Sequence, residues 1–231
     1  MPLQFIDLLI FSFGFLAQFL FFSRNIVQWF KSEKAGKVLS PVLYWQISLI
    51  ASVAMMVYGI FRTDPAIILG QFITFFIYIR NLQLQKAWKR IAFAFRVAIT
   101  TMPFLCLSWV FLSGKFTSEQ LLSGQKMPVW LMFFGIAAQL IFTFRFVFQW
   151  IISEKNKESS IPVGFWIFSI SGASMTIFYA IMRLDPVLLL SNLGGLAMYS
   201  RNLILHFTGR GIFDLLPFDF TALKQKVIRR K

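Results

Sequence analysis

Long apolar runs alternate along the chain with short clusters of charged and turn-forming residues. Seven of the runs are long enough, at about 1.5 Å per helical residue, to cross about 30 Å of hydrocarbon. They fall near residues 5–30, 41–61, 65–84, 90–112, 129–152, 162–182 and 186–206. Arg24 interrupts the first run and Arg145 the fifth. Pro41, Pro65, Pro162 and Pro186 each open a run, where the missing amide proton costs nothing in the first helical turn. Pro103 sits inside the fourth and predicts a kink there. The pattern predicts an all-α polytopic membrane protein with seven transmembrane helices.

The polar positions repeat at a constant offset of 121 residues. Phe13-Gly14 returns as Phe134-Gly135, Gln18 as Gln139, Arg24 as Arg145, and Gln28-Trp29 as Gln149-Trp150. Ser32-Glu33-Lys34 returns as Ser153-Glu154-Lys155, Trp45 as Trp166, Tyr58 as Tyr179, and Asp64-Pro65 as Asp185-Pro186. Tyr78, Arg80 and Asn81 return as Tyr199, Arg201 and Asn202. Apolar composition alone would not align Gln, Arg, Asp and Asn in one register. Each unit holds three spans, an odd number, so direct fusion would invert the second unit. The fourth span restores its orientation. The expected architecture is two parallel triple-helix bundles plus a linker helix, related by a pseudo-two-fold axis along the membrane normal. In residue terms this means a first repeat over 1–86, the linker helix and an outer loop over 87–126, a second repeat over 127–208, and a basic amphipathic tail over 209–231.

Composition agrees and adds orientation. Apolar residues make up 58% of the chain, phenylalanine alone contributes 30, and the mean hydropathy is +0.70. The net charge of +14 gathers between the apolar runs, which points to anionic headgroups and cytoplasmic loops rather than to nucleic acid. With the N-terminus outside, sixteen basic residues fall on the inner side and four on the outer: Arg62, Lys115, Lys126 and Arg183. The expected placement is N-terminus out and C-terminus cytoplasmic. The N-terminus lacks the basic region and cleavage site of a signal peptide, so the first span should be retained. A single cysteine, Cys106, and a single histidine, His206, argue against an internal disulfide, a metal site or a Ser-His-Asp triad. No nucleotide-binding fingerprint is present, so neither a cofactor nor a catalytic cluster is expected.

Candidate binding chemistry lies in the duplicated polar positions. Arg24 and Gln28 are four apart and share a helix face; Arg145 and Gln149 repeat the pair. Arg24 lies roughly 9 Å from the inner end of its span. Arg80-Asn81 and Arg201-Asn202 lie toward the inner ends of theirs. Four guanidinium forks could surround one inward-facing anion, and a fork suits phosphate better than a neutral sugar. The competing reading is that these arginines snorkel to the headgroups or anchor the inner side. Gln18 and Gln139 sit deeper, either bonding across helices or contacting substrate. Gln71 and Asn192 hold equivalent positions in the third and seventh spans. Trp29, Trp45, Trp150 and Trp166 fit an inner aromatic belt, and Asp64 and Asp185 fit helix caps. No deep acidic residue suggests ion coupling.

The stretch from Gln28 to Arg80, with Ser40-Pro41, Trp45, Gly70-Gln71 and Tyr78-Ile79-Arg80-Asn81-Leu82, resembles the lipid A biosynthesis N-terminal domain family. The second copy resembles it through Gln149-Trp150, Pro162, Trp166 and Tyr199-Ser200-Arg201-Asn202-Leu203, departing at Ser191-Asn192. The arrangement is also similar to PQ-loop and SWEET-type transporters, although their Pro-Gln pair is absent. These resemblances imply a bacterial inner-membrane protein of envelope glycolipid metabolism. Three roles follow as expectations. The first is a transporter or flippase of an anionic lipid or polyprenyl-phosphate-linked sugar. The second is a non-catalytic accessory subunit of a membrane glycosyltransferase. The third is a SWEET-like neutral sugar transporter.

Overall fold

The computed structural model describes residues 5–61, 65–112, 128–184 and 186–212. Arg62, Asp64 and Asp185, the loop with Lys115 and Lys126, and the tail from residue 213 lie outside the described residues. Seven α-helices are present among them: α1 (Phe5–Ala35), α2 (Val42–Phe61), α3 (Pro65–Leu84), α4 (Phe93–Leu112), α5 (Val129–Asn156), α6 (Val163–Arg183) and α7 (Pro186–Thr208). A single 3₁₀ turn, Trp88–Arg90, joins α3 to α4. The count matches the expectation. Helix α4 runs continuously through Pro103.

Helices α1 and α5 continue past their apolar runs and end in the same way. Gly36 and Lys157, equivalent by the 121-residue offset, both take the left-handed conformation (φ 63° and 54°). In each copy, backbone amides then return to the last turn: Lys37 to the Ser32 carbonyl, and Glu158 to the Ser153 carbonyl. This is a glycine-type C-terminal stop. The hydroxyl of Ser32 also accepts the Leu39 amide at 2.9 Å, and that of Ser153 the Ser160 amide at 3.2 Å. Each connection is thereby tied back under its own helix, and Pro41 or Pro162 leads into the next.

Within the first copy α1 packs on α2 and α2 on α3; within the second, α5 packs on α6 and α6 on α7. The copies meet through α3 with α5 and α1 with α7. Helix α4 packs against α2 and α3. Close approach inside each copy uses, among other glycines, a duplicated one. A Cβ on Gly14 would lie 2.9 Å from the Tyr58 ring, and one on Gly135 2.7 Å from the Tyr179 ring. The tyrosines of the duplicated pattern therefore seat over the bare backbone of the duplicated glycines.

Among the described residues four helices, α2, α3 (from Ile67), α5 and α6, are long and apolar enough to cross a membrane, while the apolar stretch of α4, Phe93–Trp109, is shorter. Large apolar side chains cover much of the outside, including Phe15, Phe19, Phe93, Phe133 and Leu140. A surface of that kind suits hydrocarbon, not water. Two of the four tryptophans expected in an aromatic belt are instead in the core. Trp45 and Trp166 are buried, stacked near Tyr78 and Tyr199 respectively. Depth along a span was legible for them, but the face of the helix they occupy was not.

Candidate functional site

The polar residues that α1 and α5 bury fall on the seam between the copies, in three layers one helical turn apart. The deepest layer holds Arg24 and Arg145, both buried. Arg24 donates to the Ser48 hydroxyl at 2.8 Å and to the Tyr78 hydroxyl at 3.1 Å. Arg145 donates to the Ser169 hydroxyl, the equivalent of Ser48, at 3.3 Å. Rings enclose both cations. Arg24 lies against Phe21, Tyr44, Tyr78 and Phe146, and Arg145 against Phe142, Phe146, Phe165 and Tyr199. Both guanidinium carbons are within about 5 Å of the Phe146 centroid, so they are no more than about 10 Å apart. Ring faces stabilise cations, by about 2 kcal/mol or more where water is excluded, but carry no net negative charge. Among the described residues no carboxylate pairs with either arginine, and the Nε of each is buried without a partner.

The second layer is a hydrogen-bonded amide network. Gln149 and Asn81 exchange two bonds, Gln149 Nε2 to Asn81 Oδ1 at 2.8 Å and Asn81 Nδ2 to Gln149 Oε1 at 3.1 Å. The reciprocal pair, Gln28 Nε2 to Asn202 Oδ1, makes one at 2.9 Å. Both glutamines also reach the loop beyond their own helix, through Ser32 and Leu39 or Ser153 and Ser160. Ser159 donates to Asn81 and meets Ser40, which joins the two loops across the seam.

The third layer is ionic. Arg201 grips Glu33 with two bonds at 2.6 and 2.8 Å, and Arg80 grips Glu154 with two at 2.7 Å. Each pair joins α3 or α7 of one copy to the long helix of the other. Burial alone would raise the Glu33 carboxyl, but Arg201, the Ile212 amide and the Trp29 indole together hold it below the ordinary carboxylate range.

The sequence-predicted residues thus separate. Arg24 and Arg145 are brought together at the centre. Arg80 and Arg201 are not in that cluster, because the glutamates of the opposite copy hold them one to two turns away. Gln28, Gln149, Asn81 and Asn202 knit the seam beside the arginines. Gln71 accepts the Ser52 hydroxyl at 2.9 Å inside the first copy, and Asn192 lies beside Ser191. Gln18 and Gln139 are exposed. Missed from the sequence were Ser48 with Ser169, the rings Tyr44, Phe146 and Phe165, and the pairing role of Glu33 and Glu154. Ser48 and Ser169 share the 121-residue offset, and Tyr44 lies four residues before Ser48, so a helical-face reading of the repeat could have found them.

Six helices in two parallel, reciprocally bonded triple-helix units around a buried cationic centre, with α4 as the linker between them, define a tandem-repeat membrane fold. The chain belongs to the Lipid A Biosynthesis N-terminal domain family, whose model matches it twice, at residues 13–83 and 134–204. It is similar to the lipid-A-disaccharide synthase of Chlamydia felis (strain Fe/C-56), 28% identical over 214 residues that cover 89% of this chain and 34% of that protein. It is also similar to the lipid-A-disaccharide synthase of Chlamydia pneumoniae, 28% identical over 186 residues covering 78% of this chain and 30% of that one. The chain therefore spans about a third of the length of these curated relatives. No solved structure gives a significant match. The family membership associates the chain with lipid A biosynthesis.

Proposed function

We propose that the chain is a transporter or flippase for an anionic lipid or lipid-linked sugar phosphate of envelope glycolipid metabolism, in a bacterial inner membrane. The observation that carries the reading is the pair of buried guanidinium groups at the seam, close together and without a carboxylate partner among the described residues. Two cations at this separation repel each other in a medium of low dielectric, and a phosphate between them would relieve both. The unpartnered Nε atoms supply donors for such a ligand, and a guanidinium fork suits a phosphate. The amide and ionic layers lie on one side of the arginines only, the side we assign to the cytoplasm from the distribution of basic residues. They bond the copies together there, so opening inward requires the second and third layers to part.

The test is movement of a labelled polyprenyl-phosphate-linked sugar across sealed vesicles containing the purified chain. Losing charge-assisted bonds worth about 1.5–3 kcal/mol corresponds to about tenfold or more in binding. Arg24→Lys is expected to slow movement, because the fork is lost while the charge stays. The Arg24→Gln, Arg145→Gln double variant is expected to slow it further while still inserting, since neutralisation removes a buried charge. Wild-type rates in the double variant would reject the site. Reporter fusions at residues 36 and 120 should read opposite sides of the membrane; the same side would overturn the orientation.

A second reading is favoured by one observation. The relatives that match over most of this chain are about three times the length of the matched region and are named as lipid-A-disaccharide synthases. A membrane unit that presents a lipid substrate to a glycosyltransferase would use the same cationic centre for binding without carrying it across. Saturable binding that depends on Arg24 and Arg145, with no movement in sealed vesicles, would favour this accessory role.

A further inference from the structure

The two ionic pairs of the third layer are equivalent by the repeat, yet their surroundings differ. At the Glu33–Arg201 pair the chain covers the charges with its own backbone. Gly209, at φ 61°, ends α7 and turns the chain back. The Arg210 carbonyl then accepts from Arg201 Nη2 at 3.1 Å, and the Ile212 amide donates to Glu33 Oε2 at 2.6 Å. Glu33 is left 1% exposed and Arg201 19%. At the Arg80–Glu154 pair, helix α3 stops three positions earlier relative to the repeat, at Leu84. Lys86, left-handed at φ 57°, then sends the chain off toward α4. The further partners of this pair among the described residues are side chains, Gln83 and Lys157. Arg80 and Glu154 keep 38% and 33% of their side-chain surface.

This second pair stands at the mouth of a cleft of about 810 Å³ between α3, α4 and α5. Its walls are apolar, with Ile73, Phe76 and Ile77 on one side and Val147 and Trp150 on the other. The volume falls within the range of about 300–1,000 Å³ typical of ligand pockets. The covered pair displays what satisfies such a site, namely an acceptor on the arginine and a donor on the glutamate, both carried by one short segment. At the open pair the same two places are held by exposed, displaceable side chains, Gln83 on the arginine and Lys157 on the glutamate, beside an apolar trough.

We propose that this cleft binds a phospholipid with a primary-amine zwitterionic headgroup. The phosphate takes the place at Arg80 that the Arg210 carbonyl takes at Arg201. The ammonium takes the place at Glu154 that the Ile212 amide takes at Glu33. An acyl chain lies along Ile73, Phe76 and Val147. Lys157 contacts the same glutamate from an exposed position, with 72% of its side chain accessible, and can swing aside. The site is distinct from the central arginines and does not depend on the transport reading. The equivalent place at Glu33–Arg201 lacks one of its walls, because α4, which supplies Thr100, packs on α2 and α3.

The experiment is native mass spectrometry of the full chain in detergent, titrated with phosphatidylethanolamine, phosphatidylcholine and phosphatidylglycerol of identical acyl chains. Phosphatidylethanolamine is expected to bind about tenfold more tightly than the other two, equivalent to about 1.4 kcal/mol. Phosphatidylcholine has the same charges but no N–H to donate, and phosphatidylglycerol has no cation for Glu154. Glu154→Gln is expected to erase the preference. Thr100→Trp, which fills the cleft from α4 without touching the ion pair, is expected to remove the tight phosphatidylethanolamine site. The Arg24→Gln, Arg145→Gln variant is expected to keep it. Equal affinity for the three lipids, or an undiminished preference in Thr100→Trp, would overturn the proposal.

Discussion

Asn81 and Gln149 offer the sharpest measure of what holds the two copies together. Both are buried to within the last per cent of surface, and they exchange two hydrogen bonds across the seam. Gln28 and Asn202, at the equivalent place, share one. In water-soluble proteins, a buried amide stripped of its partner costs about 1–3 kcal/mol. Within membrane helices the measured coupling is smaller, about 0.6 kcal/mol on average and about 1.7 at most, because helices in lipid find substitute partners. The two-bond pair should therefore couple by about 1–1.7 kcal/mol and the one-bond pair by about half of that. The perturbation is a double-mutant cycle with Asn81→Leu and Gln149→Met, set beside one with Asn202→Leu and Gln28→Met. These replacements keep a similar shape and remove polarity. Reversible unfolding of the purified chain in detergent gives the four free energies of each cycle. Coupling below about 0.3 kcal/mol for Asn81–Gln149, or a larger value for Gln28–Asn202, would refute the reading that the seam is held by these amides.

Two further outcomes follow from local geometry and charge. Gly135→Ala should destabilise by about 1–3 kcal/mol, since its Cβ would meet the Tyr179 ring at 2.7 Å, whereas Gly70→Ala, with open space around it, should be neutral or gain up to about 1 kcal/mol of helix propensity. Thermal denaturation of the two variants checks this, and equal effects would contradict the packing argument. The Glu33 carboxyl is depressed in the folded state, so its contribution is present above the ordinary carboxylate range and is lost as pH falls through the folded value. The melting temperature of the wild type should accordingly drop more steeply below about pH 4 than that of Glu33→Gln; parallel curves would show that the pair contributes nothing.

The sequence carried the helices and the repeat well, because polar residues inside apolar runs are rare enough for their register to be visible. Arg24 and Arg145 stood out for the same reason. Their cage did not, since Phe146 and Tyr44 are ordinary residues in a span and nothing among the thirty phenylalanines of the chain marks which ring faces a cation. Glu33 and Glu154 were visible as members of the repeat but not as counter-ions. A repeat shows that two residues occupy the same place in two copies. It does not show that the partner of one lies on the other copy, and here Arg80 reaches Glu154 and Arg201 reaches Glu33. Their placement in space explains the rest: Arg80 lies near the end of α3 and Glu154 near the end of α5, both on the same side, so their meeting depends on the crossing of two helices.

The reciprocal seam has a consequence for ancestry and design. Gln28 and Asn81, like Glu33 and Arg80, sit on one unit, and their partners are the equivalents on the other. The contact surface is therefore isologous: a single unit carries both the donor and the receiving half of every paired contact. Two separate parallel copies of one unit could make the amide and ionic contacts with no covalent link. Fusion through α4 then contributes something the contacts themselves do not need, which is freedom for the halves to diverge. The turn of backbone over Arg201 and the cleft beside Arg80 are two products of that freedom. Co-expression of residues 1–86 and 127–212 as separate chains would show directly how much of the assembly the paired contacts alone can specify.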